Sequence, residues 1–127
     1  MKRILFLTIG SIILFSFTAL QSGKDEIVNS LKGANTEQFT SYFAPTLDVK
    51  LPNSNELKGV PKAQATSSVK SFFSDNNVTS CTITSQRENA GTMYITGKLN
   101  GANNYNITAM IKSSGDKFSI ITLRINN

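Results

Sequence analysis

Residues 78–126, VTSCTITSQRENAGTMYITGKLNGANNYNITAMIKSSGDKFSIITLRIN, read as four strands joined by three tight connections. In the second run Met93, Ile95, Gly97 and Leu99 share one parity while Tyr94, Thr96 and Lys98 share the other, so one face can be buried and the other wetted. The third run repeats this: Tyr105, Ile107, Ala109 and Ile111 point inward, and Thr108, Met110 and Lys112 outward. Asn89-Ala90-Gly91, Asn100-Gly101-Ala102-Asn103-Asn104 and Ser113-Ser114-Gly115-Asp116 supply the residues that tolerate positive φ or close a turn. An antiparallel meander follows. The last run changes phase, since Phe118 and Ile120 have one parity and Ile121, Leu123 and Ile125 the other. A β-bulge, or a strand buried on both faces, accounts for the slip. A bulge bends the sheet, and a bent sheet has a concave side that something must fill.

The filling comes from the preceding residues. Ile27, Val28 and Leu31 fall at helical spacing behind Asp25 and Glu26, which suit the positive end of a helix dipole, and Gly33 is placed to end that helix. Asn35 can cap a second short helix, with Gln38 reaching back from three residues on. Its apolar face is Phe39, Tyr42 and Phe43, and Ala44-Pro45 is read as its end. Thr46 to Leu51 alternates as a strand, with Leu47, Val49 and Leu51 inward. Glu56-Leu57-Lys58-Gly59 is either a hairpin return or a loop. Pro61 suits the first turn of a third helix, whose stripe Ala65, Val69, Phe72 and Phe73 is expected to lie across the concave side of the sheet.

The chain begins with Met1-Lys2-Arg3 and an apolar run from Ile4 to Leu20, the layout of a secretory leader. Residues 1–22 are therefore expected to be a signal peptide, with an uncleaved membrane anchor as the alternative. Cleavage is expected after Ala19 or Ser22. No cysteine lies near that boundary, which argues against a lipid-anchored lipoprotein. Residues 23–127 then form one domain, expected to be periplasmic or extracellular in a bacterium. It is long enough to bury a core unaided. The single cysteine, Cys81, has no partner for an internal disulfide and reads as a small core residue beside Ile83.

The net charge of +5 falls to +3 once Lys2 and Arg3 leave with the leader. The remaining lysines are spread along the chain with no basic run interleaved with aromatics, so nucleic acid is not an expected partner. The chain has no histidine. It thereby lacks the usual neutral-pH acid-base group and the usual transition-metal ligand, and no metal site or cofactor is expected. Its acids stand at helix starts, in turns and on the polar side of a strand. There is no phosphate loop or dinucleotide fingerprint. Two sequons, Asn77-Val78-Thr79 and Asn106-Ile107-Thr108, read as coincidences of an Asn- and Thr-rich chain.

The order of two short helices, a strand or hairpin, a longer helix and four antiparallel strands is an α+β arrangement. It is similar to the nuclear transport factor 2-like cone, also grouped as cystatin-like. Ser41-Tyr42-Phe43, Pro61-Lys62-Ala63-Gln64-Ala65, Val69-Lys70-Ser71-Phe72-Phe73 and Leu123-Arg124-Ile125 resemble a family of small exported bacterial proteins catalogued as domain of unknown function 4783. The resemblance covers essentially the whole chain after the leader, rests on packing motifs and assigns no functional residue. It implies helices packed on the concave face of a bent antiparallel sheet.

Three functional readings remain at this point. In the first, a non-catalytic cell-envelope domain holds a small apolar or amphipathic ligand between the third helix and the sheet, against Tyr42, Phe72, Phe73, Met93, Tyr105 and Ile107. In the second, a homodimer forms through the outer sheet face, using Tyr94, Thr96, Thr108, Met110, Thr122 and Arg124. In the third, an enzyme uses Tyr42 or Tyr105 as donor, as the ketosteroid isomerases of the same superfamily need an acid donor and a carboxylate base inside the cone. Here no inward carboxylate is evident beyond the outward-facing Asp48. For each aromatic residue the simpler reading is a place in the core.

Overall fold

The computed structural model describes residues 23–115 and 117–127. The leader read at residues 1–22 and the turn residue Asp116 lie outside them. Residues 23–32 form α1, which buries Ile27, Leu31 and, at its edge, Val28. The helix ends in a Schellman motif: the Asn35 N–H donates to Ser30 O (2.8 Å) and the Ala34 N–H to Leu31 O (3.0 Å). Its left-handed residue is Ala34, at φ 52, rather than the expected Gly33. Ring closure of the last turn sets that position, and a glycine one residue earlier does not move it.

Helix α2, Thr36–Ser41, starts at Asn35, whose side-chain oxygen accepts the Gln38 N–H at 3.2 Å. Gln38 turns its own side chain toward the Asn35 amide, so only half of the reciprocal cap forms. Strand β1, Phe43–Lys50, follows at once. Pro45 therefore lies inside a strand, where the sequence reading had it ending a helix. It is tolerated because the pairing with the neighbouring strand slips between Phe43 and Asp48, so no ladder hydrogen bond is asked of it. The hairpin return is real: β2, Leu57–Pro61, pairs antiparallel with β1. Helix α3, Lys62–Asp75, starts directly after Pro61, which is its N-cap at φ −59. It ends in a second Schellman motif centred on Asn77 at φ 51, with the Val78 N–H on Phe73 O at 2.9 Å.

The four-strand meander is β3 (Ser80–Asn89), β4 (Thr92–Asn100), β5 (Tyr105–Ser114) and β6 (Lys117–Asn126). Strand β6 is also flanked by β1, running parallel to it, and the six-stranded sheet has the order β2-β1-β6-β5-β4-β3. The phase change in β6 is a bulge. Met110 faces Thr122 while Ile111 faces Ile120, leaving Ile121 as the extra residue. Ile120 and Leu123 are therefore both fully buried despite opposite parity. The turn between β3 and β4 has two residues, Ala90 at φ 51 and Gly91 at φ 80, the signs of a type I′ hairpin.

Helix residues Ile27, Leu31, Phe39, Ala65, Val69 and Phe73 and inward strand residues Leu47, Ile95, Leu99, Ile107, Ile111, Leu123 and Ile125 form one apolar cluster. Cys81 belongs to it, as its place beside the apolar runs implied. Its thiol sits opposite Gly97, where a Cβ would come within 2.8 Å of Sγ. Burial pushes the Cys81 pKa up to about 11, partly offset by a hydrogen bond from the Lys98 backbone. The folded chain thus keeps a proton that the unfolded chain, with a thiol pKa of 9.0, gives up. Stability is present below pH 9 and is lost as pH rises toward 11. Denaturant titrations from pH 8 to 11 are expected to show a steeper alkaline decline for the wild type than for Cys81→Ala; equal slopes would contradict it.

Candidate functional site

The six residues expected around one pocket are dispersed by the fold. Phe73 and Ile107 are buried in the filled core. Phe72 and Tyr105 meet edge to face at 5.0 Å between centroids, and the Tyr105 hydroxyl donates to Asn76 Oδ1 at 3.1 Å. This pair closes the end of the sheet where α3 finishes and the β4–β5 loop turns. Met93 is at the other end: it faces Ile111, while Leu99 faces Tyr105, a separation of about 20 Å along the strands at ~3.3 Å per residue. Tyr42 is placed apart again, its hydroxyl donating to the Glu26 carboxylate. Burial and then that carboxylate raise its pKa to about 12. Between α3 and the sheet, apolar side chains occupy the space that the sequence reading gave to a ligand.

A cavity of about 290 Å³ lies at the Met93 end. Its apolar floor is Met93, Ile111 and Phe118, all from the strands. One side is backbone, the Asn89-Ala90-Gly91 turn, and the opposite rim is the first described turn of α1. Lys24 of that turn pairs with Glu88 of β3 and stands 5.5 Å from the centre of the Phe118 ring. Gly23 rests against the ring so closely that a Cβ there would come within 2.7 Å of it. An apolar floor under an ion-paired rim suits a molecule with an apolar part and a polar end. Sequence reasoning identified Met93 and missed the rest. Lys24, Glu88 and Phe118 are brought together only by the closure of α1 over the β3–β4 and β5–β6 turns, which no local periodicity reports.

A second cavity, of about 440 Å³, lies on the far side of the same Phe118 ring. Tyr42, Lys62, Lys117 and Ser119 are among its lining residues, and Lys62 Nζ donates to Ser41 O at 2.9 Å.

The outer face holds the residues expected at an interface, and here the ladder does bring them together. Tyr94, Met110 and Thr122 form one cross-strand row and Thr96, Thr108 and Arg124 the next. Tyr94, Thr96 and Thr108 line a shallow concavity with Arg87, and Arg124 pairs with Glu56 at 2.9 Å. The groups considered for catalysis do not converge. Tyr105 is held by Asn76, Tyr42 by Glu26, and Asp48 Oδ1 accepts the Gly59 N–H at 3.0 Å. Among the described residues there is no group of three or more Cys, Asp or Glu side chains able to hold a metal, and no helix long and apolar enough to cross a membrane.

Comparison with known proteins agrees with this architecture. A crystal structure of a DUF4783 family protein from Bacteroides ovatus superposes with a TM-score of 0.73 at 17% identity, over 80% of this chain and 92% of that one. An NTF2-like protein of unknown function from Cytophaga hutchinsonii gives 0.56 at 7% identity, over 84% and 87%. A candidate ketosteroid isomerase from Kribbella flavida gives 0.59 at 12% identity, over 85% and 76%. At these identities the likeness is one of fold, the NTF2-like α+β cone, which serves enzymes and non-enzymes alike. No curated protein matches the chain. The family model for the domain of unknown function DUF4783 matches residues 24–126, so the chain belongs to the DUF4783 family.

Proposed function

We propose that the protein is a non-catalytic binding domain, exported to the bacterial cell envelope, that holds a small amphipathic ligand in the Met93–Phe118 cavity. The observation that carries this reading is the cavity itself: an apolar floor of three side chains beneath a rim bearing Lys24 and Glu88. A chain without histidine, whose Tyr42, Tyr105 and Asp48 are each engaged by a different structural partner, supports binding over catalysis. The apolar leader-like run at residues 4–20 supports export.

Native mass spectrometry of protein purified gently from an envelope fraction is the direct test. The expected spectrum shows a chain lacking its first 19 or 22 residues and carrying a small adduct that is lost on denaturation. Met93→Trp, which fills the cavity floor, is expected to abolish the adduct while the far-ultraviolet circular dichroism and the cooperative thermal transition stay native. An unprocessed chain overturns export. An adduct retained by Met93→Trp overturns this site.

A second reading, a homodimer through the outer sheet face, is favoured by the two cross-strand rows that place Tyr94, Met110, Thr108 and Arg124 on one surface. Aromatic, Met and Arg side chains are enriched at protein interfaces. Sedimentation at millimolar concentration separates the two readings: a dimer that Tyr94→Glu dissociates supports this one, and a monomer throughout removes it.

A further inference from the structure

We infer that the ligand of the Met93–Phe118 cavity is an anionic amphiphile, with its acyl or alkyl chain on Met93, Ile111 and Phe118 and its acidic head group held by Lys24, Lys62 and Lys117. This deepens the binding reading above and rests on it. The argument begins with Phe118, which walls both the 290 Å³ cavity and the 440 Å³ cavity beyond it. A flexible chain lying over the ring edge would have one end in each. The first cavity provides the apolar floor and the volume of about ten waters at ~30 Å³ each, enough for a chain of a few methylenes.

The second cavity provides charge. Lys62 enters it from the start of α3 and Lys117 from the start of β6, together with the Tyr42 and Ser119 hydroxyls, and none of its described lining residues is acidic. Lys24 adds a third ammonium from α1 at the partition itself, against the Phe118 ring. Among the described residues lining the two cavities are three lysines and one carboxylate, Glu88, which Lys24 already engages. Glu26 accepts the Tyr42 hydroxyl and lines neither cavity. Among the described residues neither Lys62 nor Lys117 is paired with a carboxylate; the recorded partner of Lys62 is the neutral Ser41 carbonyl. A carboxylate or phosphate head would convert that contact into charge-assisted hydrogen bonds, the stronger kind. A cationic head would meet the like charges of Lys62 and Lys117, and a neutral one would leave these ammonium groups as they are.

Eight-carbon probes differing only in the head separate these cases: octanoate, octanol and octylamine, titrated into the domain by NMR at 50 mM salt. Octanoate is expected to bind at least tenfold more tightly than octanol, with octylamine weakest, and the preference is expected to shrink as salt rises. In Lys62→Gln/Lys117→Gln the octanoate affinity is expected to fall to that of octanol. Octanol or octylamine binding as tightly as octanoate, or a preference that survives the double substitution, overturns the inference while leaving the binding reading in place. If none of the probes binds, or if all bind Met93→Trp unchanged, the cavity reading fails and the inference with it.

Discussion

Replacing Gly101 with alanine is expected to destabilise the protein by about 3 kcal/mol, the upper end of what an overpacked contact costs. The reason lies in how closely the β4–β5 loop passes the end of α3. A Cβ on Gly101 would collide with Asn76 O and stand 3.0 Å from Asn77 O, both backbone atoms that no rotamer change can move. To escape, the loop must withdraw from a small network. The Ala102 N–H donates to Asn76 O at 2.8 Å, Tyr105 donates to Asn76 Oδ1 at 3.1 Å, and the Asn76 amide returns to Phe72 O at 2.9 Å. Each such bond contributes about 1 kcal/mol. Thermal unfolding is expected to show a midpoint lower by more than about 10 °C. Gly33→Ala is the control. Gly33 does not have positive φ, and its nearest neighbour is the Asn29 carbonyl at 3.6 Å, so its midpoint is expected to change little. Equal midpoints for the two variants would show that the loop is not pinned.

Phe39→Ala is expected to cost about 3–5 kcal/mol, through lost transfer energy and the cavity left behind. Phe39 is 1% exposed and packs edge to face on Phe43 at 5.8 Å. It is also the principal apolar anchor of α2, a helix of six residues that is too short to be stable without tertiary packing. Losing the ring therefore releases the whole segment between α1 and β1. Against a typical domain stability of roughly 5–15 kcal/mol, the variant is expected to be partly unfolded at 37 °C. Phe39→Leu retains most of the volume and is expected to lose about 1 kcal/mol. Urea midpoints for the pair check the prediction; a Phe39→Ala loss no larger than that of Phe39→Leu would mean that the site collapses without cost.

The parts of this fold that are legible in the sequence are those with a strict local period. The parities of β4 and β5 identify the buried face residue by residue, and the slip between Ile120 and Leu123 narrows β6 to a bulge or a strand buried on both faces, between which the register selects the bulge. Errors arise where a long-range contact changes the meaning of a local sign. Pro45 reads as a helix end, yet an irregular pairing with β6 accommodates it within a strand. Gly33 reads as the helix terminator, yet the left-handed turn falls on Ala34.

The site follows the same division. Rows of the outer face are consequences of register, so Tyr94, Thr96, Thr108, Met110 and Arg124 are placed together correctly. The cavity depends on how completely the core fills, and that is a property of volumes rather than of pattern. Of the residues expected on the concave side, Phe72, Phe73 and Tyr105 stay in contact at one end of the sheet, while Met93 and Tyr42 lie apart from them. Lys24 and Phe118, which complete the real cavity, are 94 residues apart.

The parallel pairing of β1 with β6 carries a consequence for how this chain acquires its structure. The penultimate strand in space, β1, has to wait for the last strand in sequence, because β6 is the meander strand on which it pairs. Until residues near Asn126 are available, β1, β2 and the helices have no sheet to close upon, and the meander lacks the strand that carries its bend. The closure of β1 onto β6 is thus a contact of large sequence separation, which forms slowly. A stop codon that removes even the final strand would leave no foldable remainder.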